Sequence, residues 1–180
     1  RTSIRDYADD LCSAIEQLAA PPVLVGWSMG GLVAMMAVER LGRGRVRACV
    51  GLAPSTPAQR VDASVPLRSG EFDAAEYGIT SSDPNDQPAM PDLDREERVI
   101  ALSSLGRESR YARDERAAGV VVDTLPCPLL IITSTGDTQW PRSRYDGLHL
   151  PAEHLSVYDA SHWGLVLNRR ALAAFVPQVE

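Results

Sequence analysis

Apolar residues recur at two different spacings in the first fifty residues. Between residues 4 and 18 they return every three or four positions, which predicts an amphipathic helix. Ser3 and Asp6 have the spacing of a capping box at its start. The apolar run 23–26 is too short for such a helix, and we expect a strand buried in a parallel sheet.

Strand and helix patterns continue to alternate along the rest of the chain, with one long interruption between residues 54 and 124. Helices and strands in alternation are typical of an α/β fold, with a mostly parallel sheet flanked by helices. The further predicted strands are 46–52, 129–133 and 156–158. The further predicted helices are 29–41, one that begins at Asp94, 108–118, a short one at 144–148, and 165–179. The helix from Asp94 is expected to bury Val99, Ile100, Leu102 and Leu105.

The segment Gly26-Trp27-Ser28-Met29-Gly30 has the G-x-S-x-G pattern between a predicted strand and a predicted helix. Such a turn holds the serine hydroxyl clear of the backbone, and we expect glycine at both ends because a β-carbon would clash in so tight a bend. The backbone N–H of Met29, at the helix start, can stabilise a developing oxyanion. The pattern by itself also fits an ordinary glycine-rich turn.

Two further polar residues follow predicted strands. Asp137 comes after the strand 129–133, and His162 comes after the strand 156–158. A serine hydroxyl needs a base within hydrogen-bond reach, and a histidine base needs a carboxylate to orient it. Ser28, Asp137 and His162 therefore form a candidate catalytic triad.

Other residues of the same types are weaker candidates. His149 and His154 lie in a loop around a proline, where we expect them to face solvent. Asp146 is expected to be solvated on the short helix. Asp159 belongs to the strand before His162 and should point away from its ring.

These motifs together resemble those of the α/β-hydrolases, and the resemblance covers most of the chain. It implies Ser28 as nucleophile, Asp137 as acid and His162 as base. The stretch from Gly136 to Pro141 resembles the family's acid loop, in which a proline often follows the aspartate, and Ala160-Ser161-His162-Trp163-Gly164 resembles its histidine loop. It also implies a core of residues 1–54 and 120–180, and a cap or lid inserted at 55–119. The second helix of that insertion can instead belong to the core.

The family pattern has four further strands before the segment seen here. By this resemblance the N-terminal half of the sheet, with the loop that supplies a second oxyanion N–H, is absent from this chain. The first strand would then have an open edge, which a missing N-terminal segment or a second copy in a dimer could cover.

A tryptophan neighbours each member of the candidate triad. Trp27, Trp140 and Trp163 are compatible either with simple packing or with an apolar pocket for an acyl group.

Composition narrows the chemistry further. The net charge of −6 argues against nucleic acid as a partner, and no apolar run is long enough to span a membrane. All 18 basic residues are arginine, so a lysine Schiff base is excluded. Neither metal-ligand spacing nor a disulfide framework is present, and Cys12, Cys49 and Cys127 read as free thiols. With no secretory leader at Arg1, we expect a cytoplasmic location.

The sequence thus predicts a cofactor-independent serine hydrolase that acts on a small ester, thioester or lactone. Serine at the nucleophile position argues against dehalogenase chemistry, whereas a perhydrolase side activity stays open. Two alternatives remain. The chain can be a truncated, non-catalytic fragment that acts as a binding module, or a C–C bond hydrolase that uses the same triad.

Overall fold

The fold is built on a sheet of parallel strands, and the computed structural model describes residues 1–178. The strands are β1 (Val23–Trp27), β2 (Ala48–Leu52), β3 (Glu71–Phe72), β4 (Glu108–Ser109), β5 (Leu129–Ser134) and β6 (Glu153–Val157). Four of them form the parallel sheet in the order β1-β2-β5-β6, and β3 and β4 form a separate antiparallel pair. The predicted α/β architecture with a mostly parallel sheet is therefore confirmed.

Helices cover both faces of this sheet. The helices are α1 (Ile4–Glu16), α2 (Met29–Leu41), α3 (Arg95–Ser104), α4 (Arg110–Ala118), α5 (Gly164–Leu167) and α6 (Arg169–Phe175), with 3-10 turns at Ala74–Tyr77, Arg142–Tyr145 and Val176–Gln178. Apolar residues of α1 and α2 pack with Cys49 and Ile131 on one face. Leu165 and Phe175 pack with Val50 and Ile132 on the other. Alternate strand residues thus contribute to two cores, as expected for a sheet between two helical layers.

The outer strand β1 is less buried than we predicted. It pairs only with β2 within residues 1–178, from Val23 opposite Ala48 to Trp27 opposite Leu52. The Val25 side chain is 61% exposed because none of the described elements covers it. The prediction of complete burial is therefore wrong at this position.

Local signals placed the helix starts well. Ser3 and Asp6 form the predicted capping box on α1, and Asp94 and Glu97 form a second one on α3. The apolar pattern was less reliable beyond the helix ends and on α3. Leu18 lies after α1 and is exposed, and Val99 and Ile100 face solvent although we expected α3 to bury them.

The carboxy-terminal elements also differ from the prediction. β6 begins three residues earlier than predicted, and a 3-10 turn at Arg142–Tyr145 replaces the expected helix 144–148. The expected helix 165–179 is interrupted at Asn168, whose side chain accepts from the N–H groups of Arg170 and Ala171 and so caps a new helix. Its last predicted residue lies outside the described part of the chain.

The segment 55–119 contains β3, β4, α3 and α4, and its division from the core stays a prediction. α4 packs against α1, and the Glu115 carboxylate accepts from the N–H of Ile4 at 2.7 Å. α3 is tied to the segment after His162, because buried Glu97 accepts from the N–H of Arg169 at 2.9 Å.

No helix among residues 1–178 is long and apolar enough to cross a membrane. The three cysteines are free thiols, of which Cys12 and Cys49 are buried.

The turn after β1 requires glycine at positions that differ in part from the prediction. A β-carbon on Gly26 would lie 2.6 Å from the Gly30 carbonyl oxygen, and one on Gly31 would lie 2.5 Å from Pro54 Cβ. A β-carbon on Gly30 would meet no atom within 4 Å. The tight positions are therefore Gly26 and Gly31, and the expectation that Gly30 relieves a clash is wrong.

This geometry predicts opposite outcomes for two similar substitutions. Gly26→Ala forces a methyl group against backbone that cannot move away, and should lower the free energy of unfolding by about 1–3 kcal/mol. Gly30→Ala should change it by less than about 0.5 kcal/mol. Urea unfolding monitored by circular dichroism measures both. Equal stability of the two variants would contradict the close approach seen at Gly26.

A buried carboxylate anchors the loop before β3. Asp114 of α4 accepts from Arg68 in a bidentate arrangement, with Nε at 3.0 Å and Nη2 at 2.7 Å, and also from the Arg68 backbone N–H at 2.8 Å. The hydrogen bonds from the Arg68 side chain lower the pKa of Asp114 to about 2, against the opposing effect of burial. The ionised form is therefore the one that the fold stabilises.

The pKa of Asp114 is lower in the folded state than its ordinary value of 3.8. Its contribution to the free energy of unfolding is therefore fully present above pH 3.8 and is lost as the pH falls toward about 2. Asp114→Asn should thus destabilise the chain near neutral pH, and the difference from the native chain should shrink as the pH falls below about 4. Urea unfolding between pH 7 and 3 tests this, with the exposed Asp10→Asn as control. A difference that stays constant with pH would refute the role of the carboxylate charge.

Candidate active site

Ser28 stands at the end of β1 in a strained backbone conformation. Its φ is 52° and its ψ is −125°, a region that a residue with a side chain rarely occupies. Backbone hydrogen bonds hold it there: its N–H donates to Leu52 O at 3.0 Å, and its carbonyl accepts from the N–H groups of Ser55 at 2.8 Å and Gly31 at 3.1 Å. The hydroxyl does not cap α2 and lines a cavity. This is the geometry expected of a nucleophile elbow.

Asp137 and His162 form a buried hydrogen-bonded pair. His162 Nδ1 lies 2.7 Å from Asp137 Oδ2, and both residues are at least 94% buried, with exposures of 6% and 2%. The second carboxylate oxygen, Oδ1, accepts from the backbone N–H groups of Gln139 at 2.8 Å and Trp140 at 2.9 Å. All of these contacts favour an ionised carboxylate.

The charge state of Asp137 determines which ring nitrogen carries the proton. Burial raises the pKa of Asp137, but the hydrogen bonds from His162, Trp140 and Gln139 and the nearby imidazole outweigh it, so the net pKa is below its usual value. An ionised carboxylate can only accept, so Nδ1 of His162 donates and Nε2 of the neutral ring is left as the acceptor.

Trp27 fixes the position of the histidine loop. Its indole N–H donates to the His162 carbonyl at 3.0 Å, and its ring lies 4.9 Å from the imidazole and 4.8 Å from the Trp163 ring, measured between centroids. The residue before the serine is thereby in contact with the histidine 135 positions later in the chain. Trp27 therefore does more than fill space, because its indole N–H also forms a hydrogen bond.

A cavity of about 680 Å³ brings these groups together. Its wall includes Ser28, Met29 and His162, together with all three tryptophans that the sequence singled out, Trp27, Trp140 and Trp163. This volume falls in the range of about 300–1,000 Å³ that is usual for small-molecule sites. Met29 is the first residue of α2, where backbone N–H groups lack an acceptor within the helix.

The structure places Ser28 and His162 on one cavity without a hydrogen bond between them in the described residues. In sites without substrate such bonds are often long and shorten only in the reacting complex. Asp137 lies behind His162 rather than in the cavity wall.

The residues that we set aside lie elsewhere. His149 is exposed and its Nε2 bonds to Val122 O at 2.7 Å, and His154 is exposed as well. Asp146 is paired with Arg142 on the surface. Asp159 is exposed, with a φ of 58° and its backbone N–H bonded to Thr135.

Sequence reasoning missed several residues that line the cavity. They are Tyr77, Glu108, Arg113, Arg116 and Arg144, of which all but Arg144 lie in the segment 55–119. The available signal was the spacing of Arg113 and Arg116, three residues apart on a predicted helix and therefore on one face. Nothing in that spacing indicated that the face borders the site.

A sequence model of the alpha/beta hydrolase family matches residues 1–177. The chain therefore belongs to the alpha/beta hydrolase family, and the resemblance suggested by the three motifs is confirmed. None of the curated protein sequences matches the chain at a significant level.

Solved structures of similar fold have low sequence identity. They include a variant of polyneuridine aldehyde esterase, with TM-score 0.68 and 13% identity over 99% of this chain and 80% of its own. A methylesterase from Arabidopsis has TM-score 0.66 and 16% identity over 98% of this chain and 77% of its own. A bromoperoxidase from Bacillus anthracis has TM-score 0.62 and 16% identity over 99% and 75%. At these identities the likeness shows the fold alone.

The acid position allows a test with a matched control. Asp137→Asn keeps the size of the side chain but removes the charge that holds the imidazole tautomer, and should lower kcat by about 10³–10⁴-fold. Asp159→Asn changes an aspartate three residues from His162, and asparagine tolerates its positive φ. It should keep activity within about twofold. Steady-state ester hydrolysis measures both, and equal losses would remove Asp137 from the acid position.

Proposed function

We propose that the chain is a serine hydrolase that cleaves a small carboxylic ester, thioester or lactone through an acyl-enzyme. The observation that carries this proposal is the strained Ser28 on the same cavity wall as His162, whose other ring nitrogen is held by buried Asp137. The fold does not carry it, because structures named as an esterase and as a meta-cleavage product hydrolase share that fold.

In the first step, Ser28 Oγ attacks the substrate carbonyl carbon while Nε2 of His162 removes its proton. The Asp137 carboxylate stabilises the resulting imidazolium and keeps the ring in place. The backbone N–H of Met29 donates to the oxyanion of the tetrahedral intermediate. His162 then returns the proton to the leaving alcohol, thiol or lactone oxygen, which leaves the acyl group on Ser28.

In the second step, His162 removes a proton from a water molecule that attacks the acyl carbon. The second tetrahedral intermediate collapses, the carboxylic acid leaves, and the proton returns to Ser28. Ser28, His162 and Met29 supply the nucleophile, the base and one oxyanion donor, so the proposed reaction requires neither a metal nor a cofactor.

The nucleophile can be tested by a single substitution. Ser28→Ala should lower the hydrolysis of p-nitrophenyl acetate by at least about 10⁴-fold and abolish labelling by a fluorophosphonate, because it removes the proposed nucleophile. The variant should fold, since Ala53 already adopts a φ of 40° in the same structure. Ser13→Ala, on the exposed face of α1, is the control and should retain activity and labelling.

Hydrolysis that continues near the original rate in Ser28→Ala would overturn the nucleophile assignment. A panel of esters, thioesters, lactones and β-diketones then separates ester cleavage from C–C bond cleavage by the native chain.

A further inference from the structure

The cavity wall carries three guanidinium groups although the chain has a net charge of −6. Arg113 and Arg116 come from α4, and Arg144 comes from the 3-10 turn that follows the Asp137 loop. Among the described residues that line the cavity, Glu108 is the one carboxylate, and it accepts a hydrogen bond from the Tyr77 hydroxyl. The cavity wall therefore carries a positive charge, although the chain as a whole is negatively charged.

None of these three arginines forms an ion pair with a described residue, whereas their neighbours in sequence do. Arg110, one turn before Arg113 on α4, pairs with Glu76. Arg142, beside Arg144 on the 3-10 turn, pairs with Asp146. Neither Arg110 nor Arg142 lines the cavity. Ion pairing thus stops where the side chains reach the cavity.

Arg116 is the group for which this lack of a partner matters most. Its Nε is buried and has no hydrogen-bond partner among the described residues. Burial lowers the pKa of its guanidinium, and the charges of Arg113 and Arg144 act in the same direction. A buried donor on a charged group costs free energy unless it is paired, so a protein that keeps one beside a cavity gains from an anion that pairs with it.

Aromatic rings hold the guanidinium groups in place without neutralising them. Arg116 and Arg144 lie over the Trp140 ring at 5.7 and 5.0 Å from its centroid, and Arg113 lies over Phe72 at 3.7 Å. The Trp140 backbone N–H also holds Asp137. One residue therefore connects the acid of the candidate triad to two of the arginines.

We propose that Arg113, Arg116 and Arg144 form a subsite for a second, non-reacting oxyanion of the substrate. The planar donor fork of arginine matches carboxylate and phosphate, and bonds between such ions are stronger than neutral ones. The preferred substrate is then an ester or thioester that carries a carboxylate or a phosphate group elsewhere in the molecule. This inference rests on the proposed function, because it assigns the substrate class of the same cavity.

Paired substrates of equal length test the inference. Methyl hydrogen glutarate and methyl hydrogen adipate carry a carboxylate on the acyl side, and methyl pentanoate and methyl hexanoate are the neutral counterparts. 2-Acetoxyethyl phosphate carries a phosphate on the alcohol side, with 2-methoxyethyl acetate as its counterpart. At least one anionic ester should exceed its counterpart in kcat/KM by about tenfold or more, and the pair that does so identifies the anion.

Substitutions then assign the preference to the arginines. Arg116→Gln and Arg144→Gln should each lower kcat/KM for the anionic ester about tenfold more than for its neutral counterpart, mainly by raising KM. Arg142→Gln is the matched control, since it removes a guanidinium from the same 3-10 turn as Arg144 but outside the cavity. This substitution should leave kcat/KM unchanged for both the anionic and the neutral ester. Thermal unfolding checks that the variants fold, and exposed Arg144 provides the test if the Arg116 variant does not.

A binding measurement separates this inference from the proposed function. Titration of the native chain and of Ser28→Ala with glutarate, adipate and inorganic phosphate, followed by tryptophan fluorescence, reports on the subsite without turnover. If the native chain binds these anions and the Arg116→Gln substitution weakens that binding, the subsite is supported. If in addition no ester is cleaved, only the serine hydrolase proposal fails. Neutral esters cleaved as well as anionic ones, with no anion binding, would overturn the subsite and leave the hydrolase intact.

Discussion

The backbone turn at Ser28 is the constraint on which the arrangement of the site depends. It joins β1 to α2 within one residue, and hydrogen bonds to Leu52 and Ser55 tie it to the end of β2. It fits only because Gly26 and Gly31 bring their backbones into contact where a side chain would clash. A residue at φ 52° costs free energy, and the surrounding bonds hold it in that conformation. The serine hydroxyl is thereby positioned before any substrate enters.

The histidine is positioned by two different kinds of contact. Asp137 fixes one ring nitrogen through a buried charge-assisted hydrogen bond, and Trp27 donates a hydrogen bond to the His162 carbonyl and lies against the imidazole at a tilt. Because Trp27 adjoins Ser28, a shift of the histidine loop would disturb the backbone beside the proposed nucleophile. The two parts of the site are therefore held relative to each other even without a direct hydrogen bond between them.

The electrostatics of the cavity differ from those of the chain as a whole. Acidic residues exceed basic ones over the full sequence, yet arginines from two separate elements converge on the cavity wall. A cavity wall that carries several charges of one sign attracts ions of the opposite sign. In our sequence analysis the net charge argued against nucleic acid as a partner, but it carried no information about this local field, which depends on where side chains point.

The sequence by itself determined the features that depend on neighbouring residues. The capping boxes at Ser3 and Asp94, the glycine-flanked serine and the alternation of strands and helices all act over a few positions, so they can be read from the chain. Only the tertiary structure decided what depends on distant packing. It left Val25 and Val99 exposed, made Gly31 rather than Gly30 the tight position, and brought Arg116 to the cavity. Burial and charge pairing are set by residues far away in sequence, and no local pattern encodes them.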